Sequence, residues 1–268
     1  MKISIIVTTY NRPDALAAVL DSLALQEGDY EVIVADDGSK PETAALIQSL
    51  QYPVRLAHIW QEDIGFRAAA ARNRAAADAS GDYLIFLDGD CMVFADFCTQ
   101  HRALAKKGWA IAGNRILAAK EFSAMLLKAP NPARVCHWSN AEWKAAQAKG
   151  DVNKATANLR LALGPLRKLG SNRWQRVRTC NLGVWRSDFI AVNGFDEDFQ
   201  GWGYEDSDFA VRLIRSGIKI KDGRFAVPVL HLWHQENDRT QERDNWAKFE
   251  ATLNGDHIRA KRGLDQYL

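Results

Sequence analysis

Tyr83-Leu84-Ile85-Phe86-Leu87 runs directly into Asp88-Gly89-Asp90, and the reading of this stretch decides the fold. Five apolar residues are too few for a membrane span and suit a strand buried on both faces, as at the centre of a parallel sheet. Open α/β sheets bind ligands beyond the carboxyl ends of their strands. Two carboxylates there are costly to bury unless a cation or hydrogen-bond donors offset them. A lone Asp-x-Asp triplet is also compatible with a turn, so its meaning depends on the strands around it.

Working back towards the N-terminus, residues 2–9 are rich in Ile and Val and predict a second buried strand. Asn11 is expected to cap the helix that follows, with Pro13 in its first turn and Leu16, Val19, Leu20 and Leu23 as its apolar stripe. A strand over 31–35 ends in Asp36-Asp37-Gly38-Ser39. Then come a helix around 42–50, a strand near 54–60 and an alanine-rich helix over 66–79 between Gly65 and Gly81. Beyond the triplet a helix over 94–107 and a strand over 109–117 are expected. Such alternation predicts an α/β fold with a mostly parallel sheet and right-handed crossovers.

From residue 120 the pattern changes. Residues 120–178 hold Pro130, Pro132, Trp138, Trp143 and Trp174 in helix-compatible stretches without clean periodicity, and 144–178 sets nine Lys and Arg against Asp151 alone. Regular organisation resumes at 179–185, with a helix over 206–215 and strands through 218–220 and 225–230. The expectation is one domain: a half over 1–117, a basic helical insertion over 118–178, a second half over 179–240 and a tail over 241–268.

Bulk properties set limits. With 268 residues, 47% hydrophobic and 25% charged, the chain has an ordinary globular composition, and a net charge of +2 carries no argument for nucleic acid. Cys91, Cys98, Cys136 and Cys180 show no zinc spacing, so reduced thiols in a cytoplasmic protein are expected. Met1 enters a strand at once, without the features of a signal peptide.

Three strand ends carry the polar residues: Thr8-Thr9-Tyr10-Asn11-Arg12, Asp36-Asp37-Gly38-Ser39 and Asp88-Gly89-Asp90. Neither G-x-G-x-x-G nor G-x-x-x-x-G-K-[ST] follows the first strand, which disfavours nicotinamide and triphosphate loops. The order of the three ends resembles the family-two glycosyltransferases of the GT-A fold, a Rossmann-like three-layer sandwich. Gln61-Glu-Asp-Ile-Gly-Phe-Arg67 with Ala71-Arg-Asn73 resembles their donor-side loop and helix. In the second half, 193–208 (Asn-Gly-Phe-Asp-Glu-Asp-Phe-Gln-Gly-Trp-Gly-Tyr-Glu-Asp-Ser-Asp) is similar to the acceptor-side segment of β-1,4-galactosyltransferases and bacterial chondroitin polymerase. His231-Leu-Trp-His-Gln-Glu236 resembles their late histidine motif. The resemblance covers about 1–117 and 179–240 and leaves out 120–178.

The resemblance implies inverting transfer of a sugar from a UDP-sugar, with Mn²⁺ or Mg²⁺, to a glycan or glycolipid hydroxyl. Galactose or N-acetylgalactosamine is favoured, and bacterial lipopolysaccharide or capsule synthesis is the expected setting. Asp90 inherits the metal, joined by His234, with Asp88 and His231 as further candidate ligands. Thr8, Thr9, Tyr10, Arg12, Asp37, Asp63, Gly65, Arg67, Arg72, Asp88 and Gly89 are expected to bind the nucleotide sugar, with Arg72 the better phosphate candidate of the two later arginines. Asp206 becomes the base, with Trp202, Gly203 and Glu205 on the acceptor; Gly201 and Gly203 permit the tight backbone there.

Simpler readings stand beside these. Asp36 and Asp37 also suit a plain turn, Glu205 and Asp206 a helix start, Trp202 the core, and His231 a packed strand. Cys91 is expected only to pack, and His58, His101, His137 and His257 lack a motif. The basic segment admits a solvated insertion, a lid over the acceptor, or peripheral contact with anionic lipid on the cytoplasmic face of the inner membrane. Nucleic-acid binding would leave the carboxylate and histidine motifs unexplained. The alternatives in function are a nucleotide-sugar-binding protein without turnover and a sugar nucleotidyltransferase.

Overall fold

The computed structural model describes residues 1–235 and 238–268; Glu236, the last residue of the histidine motif, lies outside them. In chain order the first half comprises β1 (Ile3–Thr9), α1 (Pro13–Ala24), β2 (Tyr30–Asp36), α2 (Pro41–Ser49), β3 (Leu56–Trp60), α3 (Ala68–Asp78), β4 (Tyr83–Asp88), β5 (Cys91–Val93), α4 (Phe97–Leu104), β6 (Trp109–Ala112) and β7 (Asn114–Leu117). Helices α5 (Lys120–Lys128) and α6 (Asn140–Lys149) follow. The remainder is β8 (Asn181–Trp185), α7 (Arg186–Ala191), α8 (Glu205–Arg215), β9 (Lys219–Asp222), β10 (Pro228–His231) and α9 (Glu242–Asn254).

A seven-stranded sheet has the order β3-β2-β1-β4-β8-β6-β9, all parallel but for β8, which runs antiparallel to both β4 and β6. Strand alternation divides the core between its two faces. Ile3, Ile5 and Val7 of β1 and Tyr83, Ile85 and Leu87 of β4 pack towards α1 and α4, while Ile6, Leu84 and Phe86 pack towards α3, α7 and α8. The result is the expected three-layer α/β sandwich. On α3 the side chains meeting the sheet are alanines, Ala69, Ala71, Ala75 and Ala76, which let the helix lie close to it.

The apolar stretch 109–117 is two strands, not one. It breaks at Gly113, where an added Cβ would sit 2.2 Å from the Asn181 side chain, and β7 leaves for a second sheet of order β5-β10-β7. There β10 pairs antiparallel with β5, setting His231 opposite Cys91, one residue past the triplet. Helix α1 lacks a side-chain cap: Asn11 sits at φ 50° and its Oδ1 accepts from the Lys40 amide at 2.9 Å, tying the first strand end to the second.

The insertion is helical to Lys149 and afterwards extended chain with short 3₁₀ turns. Its tryptophans pack against the body of the protein, one fully and two partly buried. Trp143 is fully buried against Phe94 and Trp138, and Trp174 packs edge-on to Phe249 at 4.9 Å. The tail is no tail either. Helix α9 packs on α8, and its Asn245 amide donates to the Gln200 carbonyl at 2.9 Å, bracing the loop before α8.

Gly89 bonds its amide to the Thr8 carbonyl at 2.7 Å, and an added Cβ would stand 2.9 Å from that oxygen. Backbone cannot yield there as a side-chain tip can. Gly89→Ala is expected to cost about 1–3 kcal/mol in a denaturant melt and to weaken nucleotide binding, since β1 and β4 end side by side.

Candidate active site

Two cavities open beyond the carboxyl ends of β1, β2 and β4. The first, about 410 Å³, is lined by Thr8, Thr9, Tyr10, Arg12, Asp37, Phe66, Ala68, Arg72, Asp88, Gly89, Asp90, His234 and Gln235. The second, about 350 Å³, is lined by Arg115, Arg178, Thr179, Cys180 and the run from Trp202 to Ser207. They share Phe66, Arg72 and Asp88 as a common wall, so the two halves of the chain face one connected cleft.

In the first cavity the two aspartates after β2 divide. Asp36 is held by the Ser39 amide at 2.7 Å and His58 Nε2 at 2.8 Å, which keeps its carboxyl below the ordinary range despite burial. Asp36 therefore makes the turn, and Asp37 points into the cavity. Asp37 accepts from the Arg67 amide at 2.7 Å and from Gln61 Nε2, and each oxygen keeps a lone pair for a ligand donor. Tyr10 donates to Asp63 at 2.9 Å, and Arg12 pairs with Asp14 at 2.9 Å. Asp63, Gly65 and Arg67 lie outside the cavity lining; Phe66 takes their place, a residue of the same donor-side loop that sequence reasoning passes over because its apolar ring carries no evident chemistry.

Arg72 is buried, and its guanidinium is already engaged. Nε donates to Thr8 Oγ1 at 3.0 Å, Nη2 to Asp88 at 3.2 Å and Nη1 to Glu205 at 3.3 Å. It joins the triplet to the acceptor-side loop. Neighbouring Asn73 does the same in the core, donating to the Phe195 carbonyl at 2.8 Å and to Glu197 at 2.9 Å. Arg72 thus lines the cavity as a positioning residue between the halves.

The triplet's last residue meets both histidines. Asp90 Oδ1 is 3.6 Å from His231 Nε2, and Oδ2 is 3.5 Å from His234 Nε2. One ligand atom from each of the three lies within 4.8 Å of the others. Pairing of β10 with β5 brings His231 there, and the Leu232 amide on the Asp90 carbonyl at 2.8 Å holds the register. His234 Nδ1 faces the Gln235 carbonyl at 2.7 Å, which leaves Nε2 turned to the cluster in the manner of a supported metal ligand. Burial raises the Asp90 carboxyl and lowers the His231 imidazole; a cation would return the carboxyl to its ionised form and hold the imidazole in its neutral, ligating form. One carboxylate and two imidazoles form a donor set that fits a divalent, borderline-hard cation. Asp88 is not among the three and faces Arg72 instead.

In the second cavity, Glu205 and Asp206 open α8 after a loop in which Gly201 and Gly203 adopt φ of +74° and +112° and Tyr204 is left-handed at 69°. Asp206 is half-buried and has no ion-pair partner among the described residues. Burial, with the charge of Glu205 added, pushes its carboxyl up to about 7. Trp202 carries the Arg239 guanidinium 4.5 Å from its ring centroid. Arg178 and Arg115 line this cavity; the sequence offered Arg178 only as the end of the basic run and Arg115 not at all.

Comparisons with known proteins agree with this architecture. Residues 4–149 match the model of glycosyl transferase family 2, and residues 168–235 match the N-terminal domain of galactosyltransferase. The chain belongs to glycosyl transferase family 2. The match reaches residue 149, so the first part of the insertion is family sequence. A validoxylamine A glucosyltransferase of Streptomyces hygroscopicus subsp. jinggangensis is 29% identical over 83% of this chain and 53% of its own. A hyaluronan synthase of Pasteurella multocida is 32% identical over 87% of this chain and 24% of its own, and a chondroitin synthase of Escherichia coli 27% identical over 87% and 34%. The chain spans about half the length of the first two curated relatives it matches. Among solved structures, a mannosyltransferase of Pyrobaculum calidifontis in complex with GDP-Man and Mn²⁺ has a TM-score of 0.61 at 16% identity, covering 94% of this chain and 64% of its own. Staphylococcus aureus TarS 1-349 in complex with UDP also scores 0.61 at 16% identity, covering 100% and 68%. At that identity the likeness establishes the GT-A fold.

Proposed function

We propose that the chain is a metal-dependent inverting glycosyltransferase that moves a sugar from a UDP-sugar to a hydroxyl of a glycan or glycolipid. One observation carries this reading: Arg72 bonds both Asp88 and Glu205, so the triplet and the raised carboxyl of Asp206 face one connected cleft. Asp37 is suited to the donors of the base or ribose, and Thr8 and Thr9 line the path of the diphosphate. Asp90, His231 and His234 would hold the metal, which supplies charge neutralisation for the departing diphosphate. Asp206 takes the proton of the acceptor hydroxyl as its oxygen attacks the anomeric carbon from the face opposite the diphosphate. Arg72 and Glu205 hold the acceptor loop against the donor cavity, and Trp202 bounds the acceptor space.

The galactosyltransferase match over 168–235 supports galactose or N-acetylgalactosamine as the sugar. Relatives named as hyaluronan, chondroitin and O-antigen biosynthesis proteins support a bacterial surface glycan as product, lipopolysaccharide or capsule, made on the cytoplasmic face of the inner membrane. No helix among the described residues is long and apolar enough to cross a membrane. The test is a panel of UDP-sugars with Mn²⁺, read as UDP released in the presence of glycan acceptors, with product anomericity by NMR. Turnover with UDP-galactose or UDP-N-acetylgalactosamine and inversion at the anomeric carbon are expected. Retention of configuration, or no release with any donor, overturns the reading.

The pH dependence follows from Asp206. Because the base must be ionised to accept a proton, kcat/KM is expected to rise with pH and reach half its plateau near 7. A profile flat from pH 5 to 8 would remove Asp206 from the rate-determining proton transfer.

A further inference from the structure

On the α4 side of the sheet, at the β9 edge, lies a third cavity of about 360 Å³ that shares no lining residue with the other two. Arg160, Arg167, Lys168 and Lys221 line it, with Gln100 and Phe225 beside them. Arg167 and Lys221 are both more than nine-tenths buried, at 5% and 8% exposure. Arg160 is neutralised by Asp96 at 2.6 Å, but among the described residues no carboxylate comes within ion-pair distance of Arg167, Lys168 or Lys221. Asp222, the acid nearest in effect to Arg167, is taken by Arg224 at 2.7 Å and Arg176 at 3.9 Å.

Buried cations without a counter-charge are unfavourable, and this group repels itself. Arg167 is fixed by three backbone carbonyls, of Leu161, Asp222 and Arg224, at 2.7–2.9 Å. Those bonds take three of its five donors, and among the described residues only the more distant charge of Asp222, itself shared with Arg224 and Arg176, offsets the guanidinium. Lys221 donates to the Leu104 carbonyl and has further ammonium hydrogens to give. Burial, with Lys168, Lys106 and Arg167 adding to it, holds Lys221 below its usual range, as expected of a cation awaiting an anion.

We propose that this cleft is a phosphoryl-binding site, separate from the donor and acceptor cavities. Lys168 and Lys221 bind the phosphoryl oxygens, while Arg167 contributes a fixed positive charge beneath them. The same segment exposes Leu159, Leu161, Leu166 and Leu169, the last two at 58% and 62%. Exposed leucines beside a basic cleft suit the phosphodiester of a lipid headgroup, and a free phosphate shares the chemistry.

Two probes separate the sources: inorganic phosphate, followed by calorimetry, and phosphatidylcholine vesicles with and without phosphatidylglycerol, followed by co-sedimentation. Lys168 is exposed, so Lys168→Glu leaves the fold intact, and Lys221→Met keeps the buried stem; melting curves check both. Each is expected to weaken binding by at least about tenfold, the loss of a charge-assisted contact. Asp90→Asn serves as control for phosphate in the donor cavity and should leave this binding unchanged. Capture by the anionic vesicles that is lost in Lys168→Glu and in Leu166→Ser/Leu169→Ser assigns a headgroup. Phosphate binding that needs Lys168, without vesicle capture, assigns a free phosphoryl ligand. Binding of neither probe, or binding indifferent to both lysines, overturns the proposal and leaves the donor chemistry untouched.

Discussion

Asp206→Asn is expected to lose sugar transfer by about 10²- to 10⁴-fold, the usual worth of a positioned base, while binding UDP as the unaltered chain does. The substitution keeps size and shape and removes only the capacity to take a proton. Among the described residues Asp206 makes no ion pair, and its side chain accepts a hydrogen bond from Ser207 Oγ at 3.2 Å. It does not line the donor cavity. Stability gives a second readout. An acid whose carboxyl rises from 3.8 unfolded to about 7 folded disfavours the folded state as pH climbs through that window. At pH 8 the full penalty applies, so the asparagine variant should melt at or above the temperature of the parent. A site residue that is costly to the fold and needed for turnover is a familiar trade-off. Retained turnover would remove Asp206 from the mechanism. A lower melting point with lost turnover would mean that the loop before α8 had collapsed.

The parts of this site that were legible in the sequence are those written locally. The strand before the triplet showed itself by five apolar residues and an abrupt end, and the β2 turn by Asp-Asp-Gly-Ser. Illegible were the features set by partners far along the chain. Strand β5 has three residues, too few for any periodicity, yet its pairing with β10 is what delivers His231 to Asp90. Arg72 reads as a phosphate ligand in sequence and becomes a strut only because Asp88 and Glu205, the latter 133 residues from it, arrive on either side. The division between Asp36 and Asp37 depends on His58, which carries no motif. Basic residues of the insertion divide for the same reason: Arg160 and Arg176 pair with acids from other elements, Arg167 meets backbone carbonyls, and Lys168 stays exposed beside a cleft. Charge runs show in one dimension, but compensation happens in three.

Removing Asp90 is expected to abolish the effect of metal on UDP binding, and the two histidines should divide the remainder. Among the described residues Asp90 is the sole carboxylate of the cluster, so Asp90→Ala leaves two imidazoles there, which hold a hard cation poorly. Titrating UDP by calorimetry with and without Mn²⁺ should show tight binding in the parent only with metal, and weak, metal-indifferent binding in the variant. The loss should exceed the roughly 10–100-fold that removal of a supporting hydrogen bond costs at a metal centre. His234→Ala should come close to it, because His234 also lines the donor cavity and its Nδ1 is already braced. His231→Ala decides whether the ligand set has two members or three. His231 is held in strand β10, so its ring can approach the cation only as far as the β5 pairing lets it. If metal-dependent affinity survives in His231→Ala, the histidine packs beside the site and Asp90 with His234 carries the ion. If it falls as far as in His234→Ala, the short β5–β10 ladder is part of the metal site. Disturbing that ladder at Met92 or Leu230, residues paired across it and facing no ligand, should then weaken metal binding as well.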